Sequence, residues 1–449
     1  GIRGQLSSGS RLKLFSSSGA LVASDEFTGK DSILSGPAGG VVGFSKTAAL
    51  AGISKSIGFD MGGTSTDVSR FDGQYGYQYE VEKSGVFIVA PTLSIETVAA
   101  GGGSICDYDG MRFLVGPQSA GADPGPACYG NGGPLCLTDV NLFLGRIDGN
   151  AFPFPLDRSA VVGHLEKIQK QIAAATNENR SLDWIAEGFL RIAVAKTAQA
   201  IRLISLQKGY SVTEYALVSF GGAAGQICCP VAEELGIKKI LIHPQASVLS
   251  AYGIGLADEV LHRSLGIYSR WSKELNLQES FAKMEEAVGG VGDRRGVEIR
   301  FRRKIDLRYE GTQDYLTLDY DAHDKLPRQF EAAHQKRFGF SQEQSVEIGS
   351  IRVEGILSSV APNRKNEPGE MFQQKRSPGP LRPDAEVNRV PESITQKVGR
   401  IDPQSGSPDR FPKIPRSEMA AGQHWTGPLL ISDDFSTVVA DPGWSAQIL

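Results

Sequence analysis

Short apolar runs alternate with polar stretches along this chain, and two of the runs end in paired glycines. The first run, residues 57–59, leads through Asp60 into Gly62 and Gly63. The second, residues 215–220, leads directly into Gly221. Both runs predict short buried strands. Because glycine adopts backbone conformations closed to other residues, each turn can bring the main chain close to a ligand.

The second run continues in a pattern of its own. A helix through residues 231–235 follows the glycines, and a strand at 239–242 follows the helix. This succession predicts a βαβ unit, in which ligands bind beyond the carboxyl ends of the strands. A longer helix at 183–208 precedes it, with apolar residues at helical spacing: Ile185, Phe189, Ile192, Ile201 and Ile204. The pattern as a whole predicts an α/β fold.

The remaining pattern predicts further elements on both sides of this unit. A hairpin is expected from residues 12–15 and 20–22, and extended chain at 78–89 and 93–99. A glycine cluster at 35–43 runs into a helix at 44–51, and it is compatible with an anion-binding junction or with close helix packing. The later elements are strands at 267–275, 297–305, 304–311, 315–318 and 346–357, a helix at 328–338, a flexible excursion at 363–409, and a small β closure at 427–432, 436–440 and 443–447.

Composition excludes several classes of function. The chain has 449 residues, 40% of them hydrophobic and 22% charged, and a net charge of −4, so nothing favours nucleic acid or an anionic membrane as a partner. The apolar runs all fall short of the ~20 residues that cross a bilayer. Five cysteines without a C-x-x-C pair favour neither zinc nor disulfides, which predicts a reducing, cytoplasmic location.

The first glycine turn carries candidate chemistry. Asp60 stands at the end of its strand, where one carboxylate with water and phosphate oxygens suits Mg²⁺. Successive amides in such a turn can form a nest for phosphate oxygens. The turn continues into polar residues that fit this interpretation: Thr64, Thr66 and Asp67. A plain Gly-Gly hairpin with polar decoration explains the motif alone about equally well.

Two further glycine-rich segments are candidates for the substrate side. Gly102 and Gly103 lie in a tight turn, and residues 119–134 form a Gly/Pro-rich loop that contains Asp123 and Tyr129. Loops of this length without secondary structure are often functional. Cys128 lies in the same loop, but no histidine is near it in the sequence, and we expect a buried thiol without a catalytic role.

The order of the two glycine turns, joined through a long helix, resembles the second lobe of the actin/hexokinase/Hsp70 ATPase fold. In that fold a phosphate loop precedes a Gly-Gly adenosine loop, and residues 60–67 and 219–226 match those positions in order. Several longer motifs are similar to the hydantoinase A/5-oxoprolinase family, at 34–43, 99–105, 122–129, 249–258, 330–340, 427–431 and 442–444. One departure is Ile227, where that family commonly has histidine.

The resemblance implies an ATPase lobe over residues 1–262 and a β-rich α+β domain over 263–449. It implies that ATP, with Mg²⁺, phosphorylates the amide oxygen of a cyclic amide such as 5-oxo-L-proline or a hydantoin, which activates the ring for hydrolysis. The implied catalytic residues are Asp60 and Asp67, with Asp60 holding Mg²⁺ through water. The implied nucleotide contacts are Gly62, Gly63, Thr64, Thr66, Gly221, Gly222, Ala223 and Gln226.

The resemblance also implies a B-type partner subunit or domain and an oligomeric assembly. Members of the family usually carry an earlier phosphate motif as well, and the chain opens on Gly1, so we expect part of a longer protein. Two alternatives remain open: the ATPase subunit of an acetone or acetophenone carboxylase type of enzyme, and an inactive fragment. Substrate-dependent ATP use separates the first alternative, and Mg·ATP binding separates the second.

Overall fold

A computed structural model describes residues 2–7, 10, 12–25, 27–83, 85–206, 209–295, 298–357, 410–420, 422–433 and 436–448. Its α-helices are α1 Ser35–Leu50, α2 Leu137–Phe143, α3 Arg158–Thr176, α4 Leu182–Ile204, α5 Cys228–Leu235, α6 Leu249–Leu256, α7 Gln278–Arg295 and α8 Leu326–Phe338. The excursion predicted at 363–409 and the end of the helix predicted to reach 208 lie outside the described residues.

The strands of the first half are β1 Lys13–Phe15, β2 Leu21–Ala23, β3 Ser56–Met61, β4 Thr66–Phe71, β5 Tyr77–Lys83, β6 Val86–Leu93, β7 Ile95–Val98, β8 Ser104–Tyr108, β9 Phe113–Ser119, β10 Ala216–Phe220 and β11 Ile240–Leu241. Those of the second half are β12 Glu259–Arg270, β13 Ile299–Tyr309, β14 Leu316–Asp319, β15 Val346–Leu357, β16 Lys413–Pro415, β17 His424–Thr426, β18 Leu429–Asp433, β19 Ser436–Ala440 and β20 Ser445–Gln447. The α/β class predicted from the sequence is confirmed.

A five-stranded sheet with the order β11-β10-β3-β4-β7 carries both predicted glycine turns. Strand β10 runs parallel to β11 and to β3, whereas β4 runs antiparallel to β3 and β7. Successive residues of β3 point to opposite faces, so Ile57, Phe59 and Met61 pack in the core formed with α4, while Gly58 contacts Phe44 of α1. The predicted βαβ unit, β10-α5-β11, is confirmed.

The glycine cluster at 35–43 is helical, and the predicted loop before residue 44 is therefore wrong. These glycines let α1 and α6 touch backbone to backbone: a Cβ added at Gly253 would lie 2.0 Å from the carbonyl oxygen of Gly39. A Cβ at Gly43 would lie 2.5 Å from the carbonyl oxygen of Leu249. Of the two explanations for this cluster, close helix packing is the one that the structure displays.

A second, six-stranded sheet has the order β1-β2-β12-β15-β13-β14. The β1–β2 hairpin, predicted from the sequence, extends this sheet by pairing Leu21 with Glu259. One face packs its apolar residues against α7 and α8, with Phe281 and Phe330 fully buried. The two strands predicted at 297–305 and 304–311 form the single strand β13, and α3 and α7 were not predicted.

The opposite face of the six-stranded sheet is charged and meets the β5–β6 hairpin. Lys304 Nζ lies 2.8 Å from the Glu354 carboxylate and 4.5 Å from the ring centre of Tyr77. The Arg352 guanidinium stacks 3.4 Å from the ring centre of Tyr79. Both acidic and basic groups here are nearly excluded from solvent, so their pairing offsets the cost of burying charge.

The last described segment returns to the first sheet. Strands β18 and β19 form a hairpin whose apolar residues join the same core as α4 and β3. Residue Gly225, after β10, has no room for a side chain because a Cβ would lie 2.6 Å from the carbonyl oxygen of Thr437. No helix among the described residues is long and apolar enough to cross a membrane.

Candidate functional site

Two aspartates face each other at the end of the β3–β4 hairpin. Asp60 and Asp67 are direct partners in the antiparallel ladder, so their side chains lie on the same face of the sheet. The face is the one covered by α1, and together with Phe44, Pro37, Ile95 and Phe220 the aspartates line a cleft of about 180 Å³ that includes open solvent.

The ionised form of the Asp60 carboxyl is destabilised by its surroundings. Burial, and to a smaller extent the negative charge of Asp67, raise the pKa of its carboxyl to about 6, although a hydrogen bond from Ser250 opposes the rise. The Ser250 hydroxyl donates to Asp60 Oδ2 at 3.2 Å, and the Thr97 hydroxyl donates to Asp67 Oδ1 at 2.6 Å. A cation beside the pair would relieve the repulsion and the desolvation together.

The pair therefore fits Mg²⁺, which takes one or two carboxylates and completes its shell with water and phosphate oxygens. Among the described residues no group of three or more His, Cys, Asp or Glu side chains could hold a metal ion. An ion at Asp60 would consequently depend on oxygens from water and from a bound phosphate. The chemistry of the donor set thus matches the predicted use of the site with a nucleotide.

The turn between β3 and β4 is held in place by hydrogen bonds from the glycine turn at residues 101–103. The amide of Gly102 donates to the carbonyl of Gly62 at 2.9 Å, and that of Gly103 donates to the carbonyl of Gly63 at 2.6 Å. Side chains are excluded from this contact, because a Cβ at Gly101 would lie 2.7 Å from the Gly63 backbone. Residues Gly63 and Thr64 are exposed at the tip.

The predicted threonines differ in their surroundings. Thr66 is buried, and its hydroxyl donates to the carbonyl of Ala100 at 2.5 Å, which ties β4 to the turn at 101–104. Thr64 lies in the exposed turn. Hydrogen bonds thus fix the backbone around the turn at residues 62–65, while the nucleotide contacts of Gly62, Gly63, Thr64 and Thr66 stay predictions.

The predicted glycine turn at residues 221–222 lies beside the turn at residues 62–63. Asp60 pairs with Phe220 in the parallel ladder between β3 and β10, which places Gly221 next to the carboxylate. Gly221 has a φ of +85°, and a Cβ there would lie 2.4 Å from Asp60 Oδ1. The amide of Ala223 donates to the carbonyl of Met61 at 2.9 Å. Gly222 has open space around it, so this edge of the sheet is accessible at that residue.

Gln226, predicted to contact the nucleotide, is mostly buried. Its side-chain oxygen accepts a hydrogen bond from Asn141 Nδ2 at 3.0 Å, and its backbone carbonyl accepts one from Arg146 Nε at 2.7 Å. The structure thus gives Gln226 contacts within the protein, and its predicted role toward a nucleotide is untested by them.

The residues predicted for the substrate side divide into two groups. Gly102 and Gly103 lie against the turn at residues 62–65, and Thr138 donates to the carbonyl of Gly102 from both its amide and its hydroxyl. Asp123 is exposed on the long loop, whereas the ring of Tyr129 packs edge-on against Phe154 with ring centres 5.0 Å apart. The loop begins beside Gly103, whose carbonyl accepts from the amide of Ala120.

The long loop is anchored by the carboxylate of Asp139. Asp139 is fully buried and accepts backbone hydrogen bonds from Ala127 at 3.0 Å, Cys128 at 2.8 Å and Cys136 at 2.7 Å. The thiol of Cys128 is buried, and desolvation together with the charge of Asp139 raises its pKa. The expected burial of the Cys128 thiol is confirmed, and its lack of a catalytic role stays a prediction.

Ser250 was missed as a site residue. It lies near the start of α6, nearly 200 residues from Asp60, and reaches the carboxylate because Gly39 and Gly40 leave no side chain in its way. A Cβ at Gly40 would lie 3.0 Å from the Ser250 hydroxyl oxygen. A serine within a predicted helix carries no local signal of such a contact.

The chain is similar to several known proteins. The family model described as hydantoinase/oxoprolinase matches residues 2–263. A 5-oxoprolinase of Pestalotiopsis fici is 36% identical over 98% of the chain and 34% of its own length. The chain spans about a third of the length of the first curated relatives it matches.

Two solved structures share the fold. The ATP-dependent caprolactamase of Pseudomonas jessenii superposes with a TM-score of 0.76 at 26% identity, over 96% of this chain and 63% of that one. A nucleotide-free acetone carboxylase superposes with a TM-score of 0.66 at 20% identity, over 97% and 62%. With a family model that covers more than half of its residues, the chain belongs to the hydantoinase/oxoprolinase family.

Proposed function

We propose that this chain supplies part of the ATP-using half of an enzyme that hydrolyses a cyclic amide, with 5-oxo-L-proline as the favoured substrate and L-glutamate as its product. One observation carries the proposal: the two glycine turns meet at one sheet edge, where Gly221 lies against the carboxylate of Asp60. A 5-oxoprolinase and an ATP-dependent caprolactamase among the similar proteins support the same class of reaction.

The chain's own residues would bind and orient the phosphates. The exposed tip at Gly63 and Thr64 offers backbone amides to phosphate oxygens, and the contacts from Gly102 and Gly103 keep that tip in place before the nucleotide arrives. The open space at Gly222 would receive the nucleoside end. Asp60 and Asp67 would hold Mg²⁺ through water, and the ion would neutralise charge on the transferring phosphoryl group.

The covalent logic follows from the substrate. A ring amide is a poor electrophile, and transfer of the terminal phosphoryl group of ATP to its oxygen leaves ADP and turns that oxygen into part of a leaving group. Water then adds to the ring carbon and the ring C–N bond breaks, with the electron pair and a proton going to the nitrogen, which leaves an acyl phosphate. A second water attacks the carbonyl carbon of that acyl phosphate, and phosphate departs with the former ring carbonyl oxygen. Phosphoryl transfer needs positioning and charge neutralisation more than a nucleophilic side chain. The arrangement at Asp60 supplies those two functions.

A B-type subunit or domain is proposed as the partner that completes ring opening, and the working enzyme is proposed to be an oligomer. One relative is described as the alpha subunit of a caprolactamase, which supports an assembly with other subunits. The chain spans 34% of its 5-oxoprolinase relative, so the activity belongs to the longer protein or complex.

An oxygen-transfer experiment on the complete enzyme tests the reaction. With 5-oxoproline labelled with ¹⁸O at the ring carbonyl, phosphorylation of that oxygen predicts one labelled oxygen in the phosphate released. Unlabelled phosphate, with ADP still formed in step with glutamate, would contradict the proposed step. A parallel assay of ADP release with 5-oxoproline, a hydantoin, or acetone with bicarbonate identifies the substrate class, and a response to acetone alone would favour a ketone carboxylase.

A further inference from the structure

A buried arginine contacts the 221–226 turn at Gln226, at the other end of the turn from Gly221. Arg146 is 7% exposed, and its Nε donates to the carbonyl of Gln226 at 2.7 Å. Its Nη1 and Nη2 donate to the two carboxylate oxygens of Asp441, each at 2.7 Å. One guanidinium therefore joins three segments: the chain after α2, the turn after β10, and the residue that follows β19.

The contacts around this arginine enclose the back of the 221–226 turn. Asn141 donates to the side-chain oxygen of Gln226, and Gly225 packs on the backbone of Thr437 so closely that a Cβ would lie 2.6 Å from its carbonyl oxygen. The front of the same turn contacts Asp60 through Gly221 and is open at Gly222. The turn is thus held between the catalytic carboxylate and the C-terminal hairpin.

The geometry makes the pair a strong tether. Two parallel N–H···O bonds from a guanidinium to a carboxylate fix direction as well as distance. The Asp441 side chain is 16% exposed, so the pair is shielded from most of the solvent. Loss of one partner would leave the other charge poorly solvated and would free Arg146 to leave the carbonyl of Gln226.

We propose that Arg146 and Asp441 are positioning residues that fix the 221–226 turn in its ligand-ready conformation, with the C-terminal β18–β19 hairpin serving as their support. The proposal rests on the proposed function only in naming the ligand of the turn as a nucleotide. The ordering of the turn itself can be measured without any ligand.

Hydrogen–deuterium exchange of the full chain tests the ordering. In Asp441→Asn, we expect amides of residues 221–226 to exchange on the order of tenfold faster than in the wild type, while those of β3 and β4 keep their protection. The matched control is Glu233→Gln, which weakens another bond to the C-terminal segment, from Trp444 Nε1 at 2.7 Å, without touching the turn. The control should leave exchange at 221–226 unchanged.

A double variant that swaps the two charges tests whether the pair orders the 221–226 turn or only attaches the C-terminal hairpin. Arg146→Asp combined with Asp441→Arg restores an ion pair but places no donor on the carbonyl of Gln226. We expect its thermal midpoint to recover relative to Asp441→Asn, while exchange at 221–226 stays fast. Arg146→Lys, which keeps the charge but loses the fork, should show the same fast exchange in a chain of nearly wild-type fold.

Binding of Mg·ATP by calorimetry then connects the turn to its ligand. We expect Asp441→Asn to raise the Kd on the order of tenfold relative to Glu233→Gln. Unchanged exchange at 221–226 in both Asp441→Asn and Arg146→Lys would overturn the proposal. If the wild type binds no nucleotide while the exchange results hold, the proposed function fails and the positioning role of the pair stands.

Discussion

Replacement of Asp60 by asparagine should make the chain more stable at neutral pH. The carboxyl has an ordinary pKa of 3.8, and burial beside Asp67 raises it to about 6 in the folded chain. The folded chain therefore binds the Asp60 proton more tightly than the unfolded chain does. The stability associated with that proton is present in full below pH 3.8 and is lost as the pH rises through about 6.

The size of the effect follows from the pKa values. One pKa unit corresponds to ~1.4 kcal/mol, so a rise from 3.8 to about 6 corresponds to about 3 kcal/mol of destabilisation above pH 6. Asparagine has nearly the same shape, carries no charge, and keeps an oxygen that can accept the hydrogen bond from Ser250. The variant should therefore escape the cost of ionising a buried carboxyl.

Urea unfolding between pH 4 and pH 8 measures this directly. We expect the free energy of unfolding of Asp60→Asn to match the wild type near pH 4 and to exceed it by about 3 kcal/mol at pH 7.5. Asp67→Asn is the companion variant, because removal of its charge should lower the pKa of Asp60 and recover part of the same free energy. A difference independent of pH, or an asparagine variant less stable at pH 7.5, would refute this account of the site.

Three further changes test the backbone and the support of the site. Gly221→Ala should lose at least about 2 kcal/mol of stability in urea, because φ is +85° and the new Cβ would lie 2.6 Å from the Met61 carbonyl oxygen. The control is Gly222→Ala, where space is open, and an equal loss there would contradict the steric reason. Ser250→Ala removes a hydrogen bond that lowers the pKa of Asp60, so the acid limb of the pH–rate profile of the complete enzyme should move to higher pH, and an unmoved limb would count against that role. Gly253→Ala should cost about 1–3 kcal/mol by forcing α1 and α6 apart, whereas Gly255→Ala, with no neighbour within 4 Å, should cost less.

Sequence patterns within short segments predicted those elements whose structure depends on neighbouring residues. Strands β3 and β10 were recognisable because an apolar run ends in paired glycines, and the βαβ unit followed from the elements after β10. Helix α3 shows that such patterns can also be overlooked: its buried residues Val161, Leu165, Ile168 and Ile172 recur at helical spacing, so a signal was present.

Other features depend on partners far away in the chain. From the sequence alone, the glycines of α1 fit a loop as well as a helix. Their role depends on α6, because their missing side chains let the backbones of α1 and α6 touch at Gly253. Ser250 and Arg146 acquire their roles through contacts with Asp60 and Asp441 that span 190 and 295 residues. No pattern around either residue encodes such contacts, so the two turns were predictable and their supports were not.

Substrate-dependent ADP release by the complete enzyme tests the central claim, that the turn at residues 60–67 is the phosphate site of an ATP-using lobe. With Asp60→Asn in place, the account predicts a fall in 5-oxoproline-dependent turnover of about a hundredfold or more, in a protein that is folded and more stable than the wild type at pH 7.5. Turnover equal to that of the wild type would contradict the assignment of Asp60 and, with it, the proposed site.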